Sequence, residues 1–575
     1  MLDKEDLQIN SETITKYDAC VVGSGAGAGP VIYELCKAGK KVVVLEKGPW
    51  LKTKDLDKDE IKVRRNSFAP NLKDEYHVIE QQDKNGDWYK KTTYESGWDW
   101  WKGSLIGGSS NFMSGYFNRM KPNDFKQVSV YPKIENTNIV DWPISYEELE
   151  PYYAKTEKIV GISGKVVEHK HQVPRSTDDF PYPALEENEI ANWLDKGAEN
   201  LNYKMVPIPR AILSRTEKNR NACVYSNFCG SYGCDSDAKG SSRVSLIDKA
   251  FETGNLTIIA NAKVFHLETN GKGKIIKAHY YNKEKQYEVK AKIFVVACRA
   301  IETARLLLLS KNKEFPFGLA NNSGQVGKNL LFSAGGSGSG YFHKKSLGDK
   351  KFNAINVPGL WVNRSIHRWA EIEDLENETV KGGIVDFIWE HANPMMRAGR
   401  SKWAKDGSLL YGKALKENLQ RIFTEEKRLR FEVFIDWLPN DNNFVSLDYD
   451  NVDKWGDPVA NIRIFYNDYS DKIGTYLAEK SVDLLKEIGA EDIAYSISSS
   501  PPANLIAGGC RFGNDPKTSV LDKNCKAHEV ENLYITDGSF MPTGGSVTYT
   551  WTIYANSFRV ADKILETLIQ PKNIL

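Results

Sequence analysis

The sequence predicts an α/β protein with a Rossmann-type dinucleotide-binding domain and a second, α+β substrate domain built on an antiparallel sheet. Three observations predict it. Residues 17–48, YDACVVGSGAGAGPVIYELCKAGKKVVVLEKG, read as strand, glycine turn, helix, strand and acid. The C-terminal stretch NLYITDGSF…TYTWTIYANSFRVADKIL returns to strand, turn and helix. Between them, residues 431–466 alternate apolar and polar residues as antiparallel strands do.

The N-terminal unit carries chemistry. A short apolar strand, Ala19 to Val22, runs into Gly23-Ser24-Gly25-Ala26-Gly27-Ala28, and a helix follows from Pro30 to Lys37. Gly23 permits the tight turn, and Gly25 lets backbone approach a pyrophosphate. Ala28 is small enough for helix to pack on strand, and the N–H groups at the helix start face the phosphates. A second buried-type strand, Lys41 to Leu45, ends at Glu46, where a carboxylate can accept from a ribose diol. The plain alternative is an ordinary glycine-rich turn.

The bulk numbers bound the rest. A chain of 575 residues exceeds one small core, so two or three compact units are expected. A net charge of +1 supplies no field to recruit nucleic acid. No apolar run reaches the length of a membrane span. The first residues, MLDKEDLQINSETITK, are polar and acidic, unlike a secretory signal. A cytoplasmic location is therefore expected, or a periplasmic one through a signal-bearing partner. Eight cysteines in so long a chain do not read as a disulfide framework.

Along the chain, KDLDKDEIKVRR reads as an exposed helix or lid. In DWPISYEELEPYY, Asp141 or Ser145 can cap a helix starting near Tyr146, and Glu148 completes a capping box with Ser145. Residues 255–310 read strand, strand, helix, and residues 469–488 read helical. The nucleotide-binding unit is expected to be discontinuous: 1–130, 223–335 and 500–575. The substrate unit takes 131–222 and 336–499.

Seven segments resemble the glucose–methanol–choline (GMC) oxidoreductases, a family of FAD enzymes. They are VVGSGAGAGPVIYELCKAGKKVVVLEKG, GGSSNFMSGYFNR, WPISYEELEPYYAKTE, VVACRAIETARLLLLS, SGQVGKNL, GGCRFGNDPKTSVLD and VENLYITDGSFMPTGGSVTYTWTI. They fall in family order and span nearly the whole chain. DWPISYEELEPYY, KPNDF and a cysteine-rich segment are most similar to the gluconate, fructose and glucose dehydrogenase large subunits and the long-chain alcohol oxidases.

The resemblance implies FAD in the Rossmann-type domain. Gly23, Gly25 and Ala28 would hold its pyrophosphate, Glu46 its adenosine ribose, and Val264 its adenine. Gly107, Gly108, Ser109 and Ser110 would pass beside flavin and pyrophosphate. Asp537 and Gly538 would reach the ribityl chain or pyrophosphate, with a structural cap as the alternative for Asp537. Ser546 to Thr550 would lie near the pyrimidine end of the ring. Some relatives attach FAD through a histidine after the double glycine; here that residue is Phe112, so non-covalent FAD is expected.

The departure is catalytic. Oxidising an alcohol needs a base for the hydroxyl proton, and imidazole suits neutral pH. The family's histidine position falls on Leu505, and the second His or Asn position on Thr548. A shift of one residue would place Asn504 at the first site, and Asn accepts no proton. His391, Glu390, Tyr549 and Asp386 remain as loose candidates; His528 reads as structural.

Cys223, Cys229 and Cys234 lie within twelve residues among glycines and serines. Three thiolates in a loop suit a [3Fe–4S] cluster. Related large subunits carry such a cluster and pass electrons to a cytochrome. The alternatives are buried thiols or one disulfide. Three functions stay open: a dehydrogenase for a sugar, sugar acid, polyol or other alcohol with a non-NAD acceptor, to which the resemblance adds a small subunit and a cytochrome as partners; a diverged, lyase-like flavoprotein; and an O₂-using oxidase.

Overall fold

The computed structural model describes residues 16–375, 378–404, 406–498, 500–501 and 505–569. Asn504 lies outside the described residues. The first layer is a five-stranded parallel sheet in the order Leu533–Ile535, Ala291–Val296, Tyr17–Val22, Val42–Leu45, Leu256–Ile259. Its strands are apolar runs because they are covered, by the helices Gly29–Lys37 and Asp248–Glu252 and by the antiparallel strands Ala262–Thr269 and Ile275–Asn282; Val42–Leu45 is buried at every position. The helix Gly29–Lys37 starts with Pro30 in its first turn, where a missing N–H costs nothing. It packs against the C-terminal helix Thr550–Ile569.

The second body is an eight-stranded sheet. Its main path runs Glu491–Ile497, Gly336–His343, Glu426–Trp437, Ile384–Trp389, Arg364–Ile366, Met205–Pro207, every pairing antiparallel. Leu331–Ala334 joins it by pairing with Glu426–Trp437, and Ile506–Ala507 pairs with Leu331–Ala334. The helix Asp468–Glu487 packs on this sheet through Ile473, Leu477 and Leu484. A mixed α/β architecture with an antiparallel second sheet is therefore present as expected.

The helix Tyr146–Thr156 is capped by Ser145, whose Oγ accepts from the Glu148 N–H at 3.3 Å. Asp141 instead accepts from the Val128 N–H at 2.8 Å, so it caps no part of that helix. The segment KDLDKDEIKVRR is not a helix. It holds only a 3₁₀ turn, Thr53–Asp55, then a turn stabilised where Asp59 accepts from Ile61 and Lys62 N–H groups. Its acids are used for local turns, which compete with helix.

The alternation over 431–466 forms antiparallel strands, as expected, but they are divided between two sheets. Glu426–Trp437 belongs to the eight-stranded sheet, but Phe444–Val452 and Pro458–Ile464 do not. They join Val78–Gln82 and Trp88–Thr92 in a separate four-stranded sheet. The loop at Pro439–Asn443 makes the break, with Asn443 Nδ2 donating to the Leu438 carbonyl at 2.9 Å.

Candidate active site

A cavity of about 500 Å³ joins the C-terminal ends of the parallel strands to one face of the antiparallel sheet. At one end it is lined by Gly23 to Gly27, Glu46, Gly108 to Ser110 and Val264. At the other it is lined by Tyr116, His391, Arg430, Glu432 and Phe434. Leu505, Asp537, Gly538 and Thr548 to Thr550 close it between.

The glycine turn is built by close approach. Gly23 sits at φ +93°, where a Cβ would meet the Ala297 carbonyl oxygen at 2.4 Å. Gly27 presses on the strand end, with the Thr536 oxygen 2.5 Å from a built Cβ. Gly25 differs: a Cβ there would meet nothing within 4 Å. Its backbone thus faces the open cavity. Ala28 is fully buried under the helix and does not line the cavity.

Glu46 is buried, and burial raises its carboxyl above the usual range, against the hydrogen bonds from Ser24 and Gly48. Ser24 Oγ donates to it at 2.5 Å while accepting from the Gly107 N–H at 3.0 Å. Gly107 does not line the cavity; it holds Ser24, and its φ of +92° needs glycine. Ser110 Oγ donates to the Gly107 carbonyl and accepts from Ser242, and Ser109 Oγ donates to Trp101, so both hydroxyls already have partners.

Asp537 is a clamp. Its Oδ1 accepts from the Ser539 N–H at 2.8 Å, and its Oδ2 from the Arg299 N–H at 2.8 Å and Thr303 Oγ1 at 2.5 Å. These bonds fix its carboxylate at the cavity wall, which it lines. Thr550 opens the last helix there. Phe112 is fully buried and stacks on Phe68 at 5.7 Å, away from the lining.

At the far end, Thr548 Oγ1 donates to the Tyr116 carbonyl at 3.0 Å. His391 Nε2 lies 3.2 Å from Ser114 Oγ. Burial, then Arg210, Arg430 and Lys239, pull this imidazole down to about 3, so it is a poor proton acceptor at neutral pH. Glu390 pairs with Arg397 at 3.2 Å and lies off the lining. Tyr549 lines the cavity, and its buried hydroxyl has no hydrogen-bond partner among the described residues. His528 faces Ser519 at 3.0 Å, a structural contact.

Sequence reasoning missed Arg430 and Glu432. Glu426–Trp437 reads EKRLRFEVFIDW, in which Leu429, Phe431 and Val433 are buried on one face. Arg430, Glu432 and Phe434 occupy the other, toward the cavity. The available signal was Glu432 set between the apolar Phe431 and Val433 in the second half of that strand.

Cys223, Cys229 and Cys234 pack against one small apolar cluster of Tyr182, Leu185, Ile212, Leu213, Ala238 and Trp361. They do not fit the expected cluster. Among the described residues no three His, Cys, Asp or Glu side chains form a set able to hold a metal ion. Burial pushes Cys229 up to about 12 and raises Cys223, which disfavours the thiolate a ligand requires. Cys223 Sγ accepts from the Tyr225 N–H at 3.4 Å, and Cys234 Sγ lies 3.4 Å from Ser236 Oγ. They are free thiols that pack a loop.

Comparison with known proteins agrees with this architecture. Two family profiles described as GMC oxidoreductase match residues 92–333 and 439–557. A 2-methyl-1,2-propanediol dehydrogenase of Mycolicibacterium austroafricanum is 28% identical over 570 residues, with 95% of each chain covered. A fructose dehydrogenase large subunit of Gluconobacter japonicus is 27% identical, with 98% of this chain and 100% of that one covered. Among solved structures, formate oxidase of Aspergillus oryzae RIB40 superposes with a TM-score of 0.62 at 15% identity, covering 96% of this chain and 98% of that chain.

Proposed function

The chain belongs to the GMC oxidoreductases and acts on the CH–OH group of an alcohol or sugar, and from this we propose an FAD-dependent dehydrogenase that passes electrons to an acceptor other than NAD. One observation carries the proposal. A single cavity runs from the glycine turn and Glu46 to the sheet face at Arg430 and Glu432. A dinucleotide seated at one end would therefore meet a substrate at the other.

The residues fit FAD. The open cradle at Gly25 suits a pyrophosphate, and Glu46 offers a buried carboxylate to a ribose. Thr550 places a helix N-terminus at the cavity, which favours negative charge there. Bound FAD would supply a hydride acceptor. Phe112, Asn111 and Met113 carry no group for the covalent attachment known in some relatives, which supports non-covalent FAD. The chain's own part is to bind the alcohol, orient it and take its hydroxyl proton.

We also propose the division into a nucleotide unit of 1–130, 223–335 and 500–575 and a substrate unit of 131–222 and 336–499. Every strand of the parallel sheet comes from the first. The name of the fructose relative includes a large subunit, which supports a partner subunit here; a cytochrome as electron acceptor is part of the same proposal. No step is routed through an iron–sulfur cluster, because the cysteines do not fit one. No helix among the described residues is long and apolar enough to cross a membrane.

The test uses purified holoprotein, anaerobic, with 2-methyl-1,2-propanediol, D-fructose, D-gluconate and 1-dodecanol added in turn. Bleaching of the flavin supports the reading, and peroxide formation in air would favour an oxidase. Yellow protein that no alcohol bleaches would favour the diverged, lyase-like reading, which Leu505 and Thr548 at the family's base positions support.

A further inference from the structure

Asp386, on Ile384–Trp389, is fully buried, and its Oδ1 has no hydrogen-bond partner among the described residues. Its Oδ2 receives a long contact from Asn118 Nδ2 at 3.5 Å, and the Ser365 side chain also acts on the carboxyl. Directly opposite, in register on Glu426–Trp437, stands Glu432. Opposed residues on antiparallel strands bring their Cβ atoms to about 4.5–5.5 Å. Two carboxyls thus share one site, and Glu432 lines the same cavity as Leu505 and Thr548.

The surroundings favour one negative charge rather than two. Arg430 lies 3.5 Å from Glu432 on the same strand. Arg210 faces the pair from its own segment, with its guanidinium 3.8 Å over the Tyr116 ring. Lys121 also acts on Asp386, and Tyr116 stays neutral because burial raises its phenol. His391 is neutral. The register continues the polar row outward, from Glu432 to Ser337 and on to Ser496, which is exposed.

We propose that Glu432 is the catalytic base that takes the alcohol's hydroxyl proton, and that Asp386, opposite it in strand register, is its positioning residue. This rests on the alcohol-oxidising reading above. In the reaction the substrate O–H bond breaks and its proton goes to the Glu432 carboxylate. The C–H bond breaks with its electron pair as the C=O bond forms, a two-electron oxidation of the alcohol for which bound FAD would supply the hydride acceptor. The proton then leaves along Ser337 and Ser496 to solvent. Burial first, with Glu432 adding to it against Ser365 and Arg210, pushes the Asp386 carboxyl up to about 7.

The test compares wild-type holoprotein with Glu432→Gln, Glu432→Asp and Asp386→Asn. Anaerobic flavin reduction by the four alcohols is followed from pH 5 to 9. Infrared titration of the resting proteins reads the protonated carboxyl band without substrate. Glu432→Gln should keep its flavin spectrum but lose ~100-fold in reduction rate. Asp386→Asn keeps a hydrogen-bond donor, so it should stay within tenfold. The carboxyl band should vanish in Asp386→Asn and titrate at lower pH in Glu432→Gln, where the neighbouring charge is gone. Glu432→Gln that reduces flavin as fast as wild type, or the lack of a band tied to Asp386, would overturn the inference alone. A wild-type flavin that no alcohol reduces would overturn the alcohol reading, and the base with it. If Glu432→Gln loses its flavin, Glu432→Asp decides: slowed reduction with a displaced pH limb supports the base, and unchanged reduction rejects it.

Discussion

Ser557 Oγ donates to the Gly27 carbonyl at 2.6 Å, across 530 residues of sequence. This bond ties the C-terminal helix to the glycine turn that opens the first helix. The turn is therefore held by both ends of the chain, and its three glycines are constrained differently.

Gly25→Val should leave the fold intact while blocking the nucleotide. A Cβ at Gly25 meets no atom within 4 Å, so the side chain projects into the cavity. Thermal melting of the apoprotein should be near that of wild type, with FAD binding lost by fluorescence titration. Gly23→Ala is the contrast, since φ is +93° and the Ala297 oxygen is 2.4 Å away. It should lower the melting temperature of the apoprotein itself. Equal FAD affinity in Gly25→Val would show that the nucleotide lies elsewhere.

Thr548→Val should cost no more than about tenfold in flavin reduction. The hydroxyl makes a 3.0 Å bond to the Tyr116 carbonyl, and one such bond is worth roughly 0.5–1.5 kcal/mol. Leu505→Ala should alter substrate affinity and keep most of kcat. Abolished reduction in Thr548→Val would place that hydroxyl in the catalytic centre.

His391→Asn should leave the pH profile of flavin reduction between pH 5 and 8 unchanged. Its imidazole is held at about 3 and carries no charge change in that window. A pH limb that disappears in this variant would mean that His391 titrates during turnover.

Asp386→Asn should stabilise the fold increasingly as pH rises. The folded carboxyl titrates near 7 against an unfolded value of 3.8. Between those values the folded state holds the extra proton, so stability falls as pH rises toward 7 and stays lower above it. The gain from Asn should be absent at pH 4 and full by pH 8, at about 1.4 kcal/mol for each unit of displacement. Denaturant melts at the two pH values measure it, and an equal difference at both would contradict the raised carboxyl.

Aerobically purified protein should contain far less than one iron per chain, with thiols at Cys223 and Cys229 that alkylate slowly. Their sulfurs are desolvated and form no ligand set among the described residues. Iron near three per chain, with a paramagnetic signal in the oxidised state, would restore the cluster.

The glycine-turn end of the cavity was legible in the sequence alone. The turn Gly23–Gly27, the buried Val42–Leu45 strand and Glu46 are neighbours in the chain, and local sterics place them wherever the fold is reached. The Ser145 cap was legible for the same reason. Only the tertiary structure decided the substrate end. Glu432 and Asp386 are set opposite each other by strand register, which no local pattern encodes. That Cys223, Cys229 and Cys234 form no ligand set among the described residues was likewise invisible in their spacing, because ligation depends on where three sulfurs point.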